Sequence, residues 1–242
     1  MRLSKLSLVA GIILGFSGSV NAADTLADTF RNGQVNGELK AYYFSRDFDV
    51  KPDIFGAAVG NTDIFTTGVS LGYITDSFHG FKLGATLQSS YSPFADSEAK
   101  ALQTSGGFGY DMYGSGAVLS EAYVAYKTNN TELKVGRQFI RTPLVNISPT
   151  RLITTSYEGA TRVNTDLPET TLMAGVVTKY QLWTDNAGGV PGFVGLNDIE
   201  NKVNKPNDHA YTLLAINKSI PNITLTAQYL TLESNWDMYL CF

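Results

Sequence analysis

Apolar and polar residues alternate along most of this chain. In residues 37–48, for example, Leu39, Ala41 and Tyr43 take every second position, and Lys40 lies between two of them. A period of two is that of a β-strand whose two faces meet different surroundings. The same alternation recurs at residues 66–73, 82–88, 118–124, 134–141, 157–165, 171–179, 210–218 and 223–229. We therefore predict about nine strands.

The connections between these strands alternate in length. Short connections, rich in turn-forming residues, are predicted at residues 76–80, 128–131, 166–169 and 219–222. Long connections are predicted at residues 48–63, 92–116, 141–156 and 181–208. Short turns on one rim and long loops on the other are typical of an antiparallel transmembrane β-barrel of the outer membrane.

A secreted β-sandwich would show the same alternation, because its apolar face would be the core. Two features favour the barrel. Several strands reach about 10 residues, which crosses a bilayer at a tilt, whereas sandwich strands average about 5 or 6. Aromatic residues such as Tyr43, Tyr73, Tyr91 and Tyr126 fall near strand ends, where interfacial girdles lie. The fold class predicted is therefore all-β, as a membrane barrel.

The N-terminus has the features of an export signal. Arg2 and Lys5 precede an apolar run over residues 6–16, and Ala22 suits a signal peptidase cut after it. The alternative is a membrane anchor, but about eleven apolar residues fall short of the roughly 20 that a spanning helix needs. We predict a signal peptide over residues 1–22 and a barrel domain over residues 23–242.

Composition excludes several classes of protein. Charged residues make up only 17% of the chain and aromatic residues 12%, which is typical of a folded protein and not of a disordered one. One Cys excludes a disulfide framework and a Cys-based zinc site. The net charge of −4, which becomes −6 once Arg2 and Lys5 are removed, argues against a nucleic-acid partner.

Four stretches after the signal read ADTLADTFRNGQVNGELKAYYFSRDF, TTGVSLGYITDSFHGFKLGATLQSSY, SGAVLSEAYVAYKTNNTELKVGRQFIRTPLV and SYEGATRVNTDLPETTLMAGVVTKYQ. They resemble the OprD family of outer-membrane porins, and the resemblance extends over nearly all of the chain after the signal. The resemblance implies an eighteen-stranded barrel with one pore per chain, and association into homo-trimers. It also implies passive diffusion of small hydrophilic solutes such as amino acids, peptides or carboxylates.

The resemblance further implies a location in the outer membrane of a Gram-negative bacterium, after export and removal of residues 1–22. The partners expected there are outer-membrane lipid and the barrel-assembly machinery. No cofactor and no metal are implied. The chain carries about nine strands where the family has eighteen, so we expect a partial barrel from a truncated product, with a small closed barrel as the alternative. The tail from Trp236 to Phe242 alternates like a tenth strand.

The odd or even position of a residue along its strand, here called its parity, predicts whether it points into a lumen. If the apolar residues point outward to lipid, the charged residues predicted to point inward are Lys40, Lys82, Glu121, Lys127, Lys134, Glu158, Arg162 and Lys179. Val118, Ala122 and Val124 are expected on the outward face. Arg137 shares the outward parity of Leu133 and Val135, so we expect a bulge at Gly136 that resets the register.

The third long connection carries Arg141 and Arg151 and no carboxylate. In porins of the OprD family the third outer loop folds into the lumen and narrows it, so the resemblance implies that these two arginines lie at the constriction. Two solvated loop arginines are the alternative. The other long connections hold most of the acids and predict an acidic mouth: Asp47, Asp49, Asp53, Asp63, Asp96, Glu98, Asp111, Asp185, Asp198, Glu200 and Asp208.

Other function classes have less support. An enzyme would need a nucleophile beside a base, and neither His79 nor His209 has an obvious partner in the sequence. A calcium site at Asp47, Asp49 and Asp53 lacks a Gly-centred binding loop. We therefore predict no enzymatic activity and a porin, with a non-conducting adhesin or structural barrel as the alternative.

Overall fold

The structure is a computed structural model that describes residues 10–15, 25–46, 62–94, 115–183, 189–196, 209–233 and 236–241. These residues form one short helix, α1 (Leu26–Arg31), and twelve strands. The strands are β1 (Ala10–Gly15), β2 (Gln34–Arg46), β3 (Thr62–Ile74), β4 (Phe81–Tyr91), β5 (Gly116–Thr128), β6 (Thr131–Gln138), β7 (Ser156–Asn164), β8 (Thr170–Gln181), β9 (Val194–Gly195), β10 (Ala210–Asn217), β11 (Leu225–Leu232) and β12 (Trp236–Cys241).

All described strands belong to one antiparallel sheet, in which strands pair in chain order from β1 to β12 and β9 pairs with the end of β8 beside that path. Among the described residues β1 and β12 do not pair with each other, so this sheet is open. The nine strands predicted from alternation are all present. The tail strand is present too, as β12 beside β11.

The short connections need a left-handed backbone at one point each. His79, Asn129, Glu169 and Asn222 have φ between 49° and 63° and lie one in each of the four short turns. Asn is among the residues that adopt this conformation most readily, because its short polar side chain can bond the local backbone. These turns bring consecutive strands back antiparallel, as predicted.

The two faces of the sheet differ sharply in β4. Leu83, Leu87 and Tyr91 are exposed, whereas Thr86 and Gln88 are buried. The face that carries Thr86 and Gln88 is called the inner face below, and the apolar, exposed face is the outer face. A pleated strand bordered by different media on its two sides produces this alternation.

A β-bulge in β5 changes the predicted faces. Thr86 of β4 pairs with Glu121, but Leu87 pairs with Leu119, so Ser120 is the extra residue. Val118 therefore pairs with Gln88, is buried, and lies on the inner face. The expectation that Val118 shares the outer face with Ala122 and Val124 is wrong, because alternation alone cannot register an inserted residue.

Two elements lie before β2. Helix α1 begins after Thr25, whose hydroxyl accepts a hydrogen bond from the Asp28 backbone at 3.1 Å, as an N-cap residue does. The helix lies against the β3–β4 turn, where the Asp76 amide donates to the Thr29 carbonyl at 3.0 Å. Strand β1 lies within the predicted signal peptide and pairs with β2. Removal of residues 1–22 stays a prediction. In the described part of the chain no helix has the length and apolar character to cross a membrane.

Close packing of backbone at Gly159 yields a stability test. A Cβ at Gly159 would lie 2.0 Å from the Val176 carbonyl oxygen, whereas a Cβ at Gly37 would meet nothing within 4 Å. We expect Gly159→Ala to lower the free energy of unfolding by about 1–3 kcal/mol, since backbone cannot move aside cheaply. Gly37→Ala, the matched strand control, should change it by less than about 0.5 kcal/mol. Urea titration of the refolded protein measures both, and equal effects would contradict the packing at Gly159.

Candidate functional site

Residues 139–155 leave the sheet after β6 and fold back over its inner face; they are called the inner loop below. Its apolar side chains are almost fully buried, with exposed fractions of 1–7%: Ile140, Val145, Ile147, Leu152 and Ile153. Ile140 and Val145 pack with Val177 of β8 and with Leu196. Burying a side chain of this size contributes about 1.5–3 kcal/mol, so the apolar residues hold the loop against the sheet.

The inner loop contains a small hairpin of its own. The Ile147 amide donates to the Ile140 carbonyl at 3.1 Å, and the Thr142 amide donates to the Val145 carbonyl at 2.8 Å. The Thr142 hydroxyl accepts from the Val145 amide at 3.0 Å. A folded loop satisfies its own backbone in this way, which a segment removed from water must do.

Two buried glutamines of the sheet bond the inner loop at widely separated strands. On β11, Gln228 accepts a hydrogen bond from the Leu144 amide at 2.9 Å. On β4, Gln88 accepts one from the Thr154 amide at 2.8 Å. The inner loop thus reaches from one part of the inner face to the other.

The two loop arginines have different surroundings. Arg141 is exposed, and its backbone bridges to Asn146. Arg151 is half-buried, with its guanidinium carbon 5.9 Å from the centre of the Trp183 ring and its Nη1 donating to the Thr150 hydroxyl at 3.2 Å. The next residue, Leu152, lies beside Gly68 of β3. Arg151 therefore lies where the inner loop crosses the inner face.

Four of the predicted lumen lysines lie on the inner face. Lys40 is buried and its Nζ lies 3.3 Å from the Glu38 carboxylate. Lys134 lies over the Tyr123 ring, 4.3 Å from its centre. Lys82 pairs with Ala125, and Lys127 lies two residues further along the same face of β5. The inner face therefore carries at least four cationic side chains.

Glu121 also lies on the inner face, but both of its carboxylate oxygens are bound by the sheet and the loop. The Thr86 hydroxyl donates to Oε2 at 2.7 Å and the Phe139 amide donates to Oε1 at 3.3 Å. This carboxylate therefore fixes the start of the inner loop.

Glu158, Arg137 and Lys179 form a network of three charged residues. The prediction that Glu158 and Lys179 point into the lumen is wrong. Glu158 pairs directly with Arg137 in one ladder and with Lys179 in the other. Its Oε2 lies 3.2 Å from the Arg137 Nε and its Oε1 lies 2.9 Å from the Lys179 Nζ. Their strand neighbours Tyr157 and Tyr180 pack against the buried apolar residues of the inner face, which are Ile140, Val145, Val177 and Leu196. Glu158 and Lys179 therefore lie on the other side of their strands and do not point into the centre of the lumen.

The predicted bulge at Gly136 is wrong. Both ladders of β6 run without a register shift through Gly136, although its φ of +122° marks a local distortion. Arg137 keeps the parity of Leu133 and Val135, as its sequence position indicates. Its charge is compensated by Glu158, and its guanidinium lies 4.4 Å from the Phe193 ring centre. A shifted register is therefore not needed to accommodate it.

The expected direction of Arg162 is also wrong. It pairs with Leu133 and Ala174, which share the outer face with exposed Leu172, so Arg162 lies on the outer face and not in the lumen. It is two residues from the end of β7, beside the short β7–β8 turn. An arginine so close to a strand end can extend its guanidinium toward the interface, which makes an outward position tolerable.

His209 does have a partner. Its Nδ1 lies 3.0 Å from the Glu233 Oε2, at the rim where β10 begins and β11 ends. Hydrogen bonds from the His209 side chain and backbone hold the pKa of the exposed Glu233 carboxyl below its ordinary value. The described residues contain no group of three or more His, Cys, Asp or Glu side chains that could hold a metal ion.

Some predicted features lie outside the described residues. These include nearly all of the acids expected at the mouth. Asp63 is the exception, and the structure describes it only by its backbone, within β3. Sequence reasoning did not find the role of Gln88 and Gln228. The alternation of residues assigns both to the polar face of their strands, but nothing in the local sequence indicates a hydrogen bond to a loop about 60 or more residues away.

Comparison with known proteins agrees with this architecture. A family model described as "outer membrane porin, OprD family" matches residues 28–188, which is more than half of the chain. No curated protein sequence matches the chain with statistical significance.

Several solved structures share the fold. Acinetobacter baumannii OccAB3 has a TM-score of 0.67 at 16% identity, over 87% of this chain and 52% of that one. Pseudomonas aeruginosa OccK9 (OpdG) has a TM-score of 0.66 at 16% identity, over 87% and 53%. A BenF-like porin from Pseudomonas fluorescens Pf-5 has 0.65 at 14% identity, over 88% and 53%. At such identity the likeness shows the fold alone, and this chain spans about half the length of the solved porins it matches.

The Glu158 network provides a test of the charged cluster. Glu158→Gln should leave Arg137 and Lys179 as neighbouring cations without a carboxylate between them. Because Glu158 is about a quarter exposed, we expect a loss of about 1–2 kcal/mol in unfolding free energy, less than for a fully buried pair. Glu132→Gln, on the neighbouring strand, is the control and should change it by less than about 0.5 kcal/mol. A urea midpoint that moves equally in both variants would contradict the role of the network.

Proposed function

This chain belongs to the OprD family of outer membrane porins, and from that premise we propose that its inner face forms a wall of a water-filled passage for small hydrophilic solutes. Amino acids, peptides and carboxylates are the solute classes proposed. Family membership points to the outer membrane of a Gram-negative bacterium. Removal of residues 1–22, insertion by the barrel-assembly machinery and association into trimers are further parts of the proposal.

The observation that carries the proposal is the inner loop. It is held on the inner face at both Gln88 and Gln228, so it would narrow any passage that this face lines. A loop anchored in this way would reduce the cross-section of the passage without interrupting the strands of the sheet. Solute size would then be limited at the loop and not at the rim.

Charge on the narrow part supports a preference for anionic groups. The loop brings Arg141 and Arg151 without a carboxylate of its own. Three lysines lie on the same inner face of the sheet: Lys40, Lys82 and Lys134. A charge within a few ångströms of a passing ion is little screened, whereas charges in open solution are screened over about 8 Å at physiological salt. Rings of charged side chains select ions in this way. We propose that Arg141 and Arg151 lie at the constriction and that the inner-face lysines attract anionic solutes along the passage toward it.

Conductance of the refolded chain in planar bilayers tests the proposal. Discrete single-channel steps are expected. Their absence, under conditions in which a solved porin of the family conducts, would contradict a conducting role for this chain.

Membrane insertion tests the two faces. Leu71, 51% exposed on the outer face, and its neighbour Ser70 on the inner face lie side by side in β3. Leu71→Arg should cost about 2–4 kcal/mol if it faces lipid at mid-depth, and Ser70→Arg far less. Folding titrations into lipid vesicles measure the difference. Equal costs would show that the faces are assigned incorrectly.

Ion selectivity tests the constriction. Arg141→Gln combined with Arg151→Gln should shift the reversal potential toward cation preference and slow the uptake of carboxylate-bearing solutes, because the loop charge acts at close range. Asp185→Asn combined with Asp198→Asn changes the same number of charges in the fourth connection and is the control. If the aspartate pair shifts the reversal potential more than the arginine pair, the constriction lies elsewhere.

A further inference from the structure

Gln88 and Gln228 each use both ends of the side-chain amide to hold the inner loop. Gln88 accepts from the Thr154 amide at 2.8 Å and donates to the Thr154 carbonyl at 3.2 Å and to the Ser120 hydroxyl at 2.6 Å. Gln228 accepts from the Leu144 amide at 2.9 Å and donates to the hydroxyls of Thr142 and Thr212 at 2.9 and 2.8 Å. Each amide therefore binds the loop through both its oxygen and its nitrogen, and the nitrogen also binds the sheet.

Burial makes these bonds consequential. The exposed fraction is 1% for Gln88 and 3% for Gln228. A buried amide or backbone group that loses its partner costs about 1–3 kcal/mol, because water cannot replace the bond. If the loop moved away, at least one backbone amide of the loop and one glutamine amide would lose their partners at each site.

The two sites are far apart on the loop and on the sheet. Leu144 and Thr154 lie near opposite ends of the loop, and their glutamines lie on β11 and β4. Two anchors fix the orientation of a segment, whereas one would leave it free to pivot. Arg151 lies between the anchors, three residues before Thr154.

We propose that Gln88 and Gln228 are positioning residues that fix the inner loop across the inner face and thereby determine where Arg151 carries its charge. The electrostatic consequence rests on the proposed porin function. The anchoring itself does not, so the two can fail separately.

Gln138 is a matched control within the chain. It is also a buried glutamine, with an exposed fraction of 2%. Its side chain, however, bonds strand residues only: it donates to the Gly159 carbonyl at 3.3 Å and accepts from the Thr161 hydroxyl at 2.8 Å. Gln138→Leu removes a buried amide of the same kind without releasing the loop.

Limited trypsin digestion of the full chain, folded in detergent micelles, tests the anchoring. Trypsin cuts after Arg151 only if the loop leaves the inner face, because the next residues, Leu152 and Ile153, are almost fully buried. Arg31, with a side chain 78% exposed, reports general accessibility. Gln88→Leu and Gln228→Leu should each raise the cleavage rate at Arg151, relative to Arg31, by about tenfold, as expected for the loss of about 1.4 kcal/mol. Gln138→Leu should leave this ratio within twofold of the unmutated chain.

Three outcomes would overturn the proposal: protection of Arg151 that is unchanged in both loop-anchor variants, equal acceleration in Gln138→Leu, or rapid cleavage at Arg151 in the unmutated chain. Gln88→Asn and Gln228→Asn serve if the Leu variants do not fold. They keep the amide but shorten its reach by one methylene, and they should also accelerate cleavage.

Bilayer recordings separate the anchoring from the porin function. In a conducting chain, Gln88→Leu and Gln228→Leu should add current fluctuations and reduce anion preference, and Gln138→Leu should do neither. If the unmutated chain does not conduct but the digestion pattern holds, the porin function fails and the anchoring stands. Conduction with unchanged fluctuations and selectivity in both anchor variants would refute the link between the anchors and Arg151.

Discussion

The requirement that polar groups removed from water find hydrogen-bond partners governs this structure. Among the buried side-chain atoms that the structure describes, the exceptions are Thr66 Oγ1, Asp76 Oδ2 and Ser92 Oγ. The antiparallel ladder satisfies the backbone of each strand, and the outer face can then carry apolar side chains such as Leu71 and Leu83 without polar groups beneath them. The inner face keeps its own polar side chains, and these need partners as well. The inner loop supplies many of them, so a buried polar face and a folded loop stabilise each other.

The inner loop meets this requirement with two kinds of residue. Its apolar side chains, Ile140 and Val145 among them, pack against β8 and the residues around it. Its backbone groups bond to Gln88, Gln228 and the Thr142 hydroxyl. Apolar packing supplies most of the driving force for folding the loop onto the sheet, but it is non-directional. The hydrogen bonds of the glutamine amides depend on direction, so they select one orientation of the loop. A loop that relied on packing alone would have several placements of similar energy.

Alternation and turn chemistry predicted all nine strands, the four short turns and the tail strand, because both signals are local in sequence. The errors have separate physical causes, and none of them is visible in the alternation of residues. Val118 changes face because Ser120 is inserted into the ladder, and a bulge leaves no mark in alternation. Arg162 was assigned inward because an outward arginine is costly at mid-depth, but it lies near a strand end. The Glu158 network and the glutamine anchors join residues from different strands, and pairing of that kind is decided by tertiary structure.

If the proposed porin function holds, its electrostatic selectivity depends on neutral residues as well as charged ones. The lysines of the inner face lie on strands, so the register fixes their backbone positions and the face that they share. Arg151 is carried by a loop, and its distance from a passing solute follows from how the loop is anchored. Since the interaction of two charges changes steeply at short range, a small displacement of the loop would alter selectivity more than the loss of a distant charge. The uncharged hydrogen bonds at Gln88 and Gln228 would therefore act on selectivity through the position that they give to Arg151.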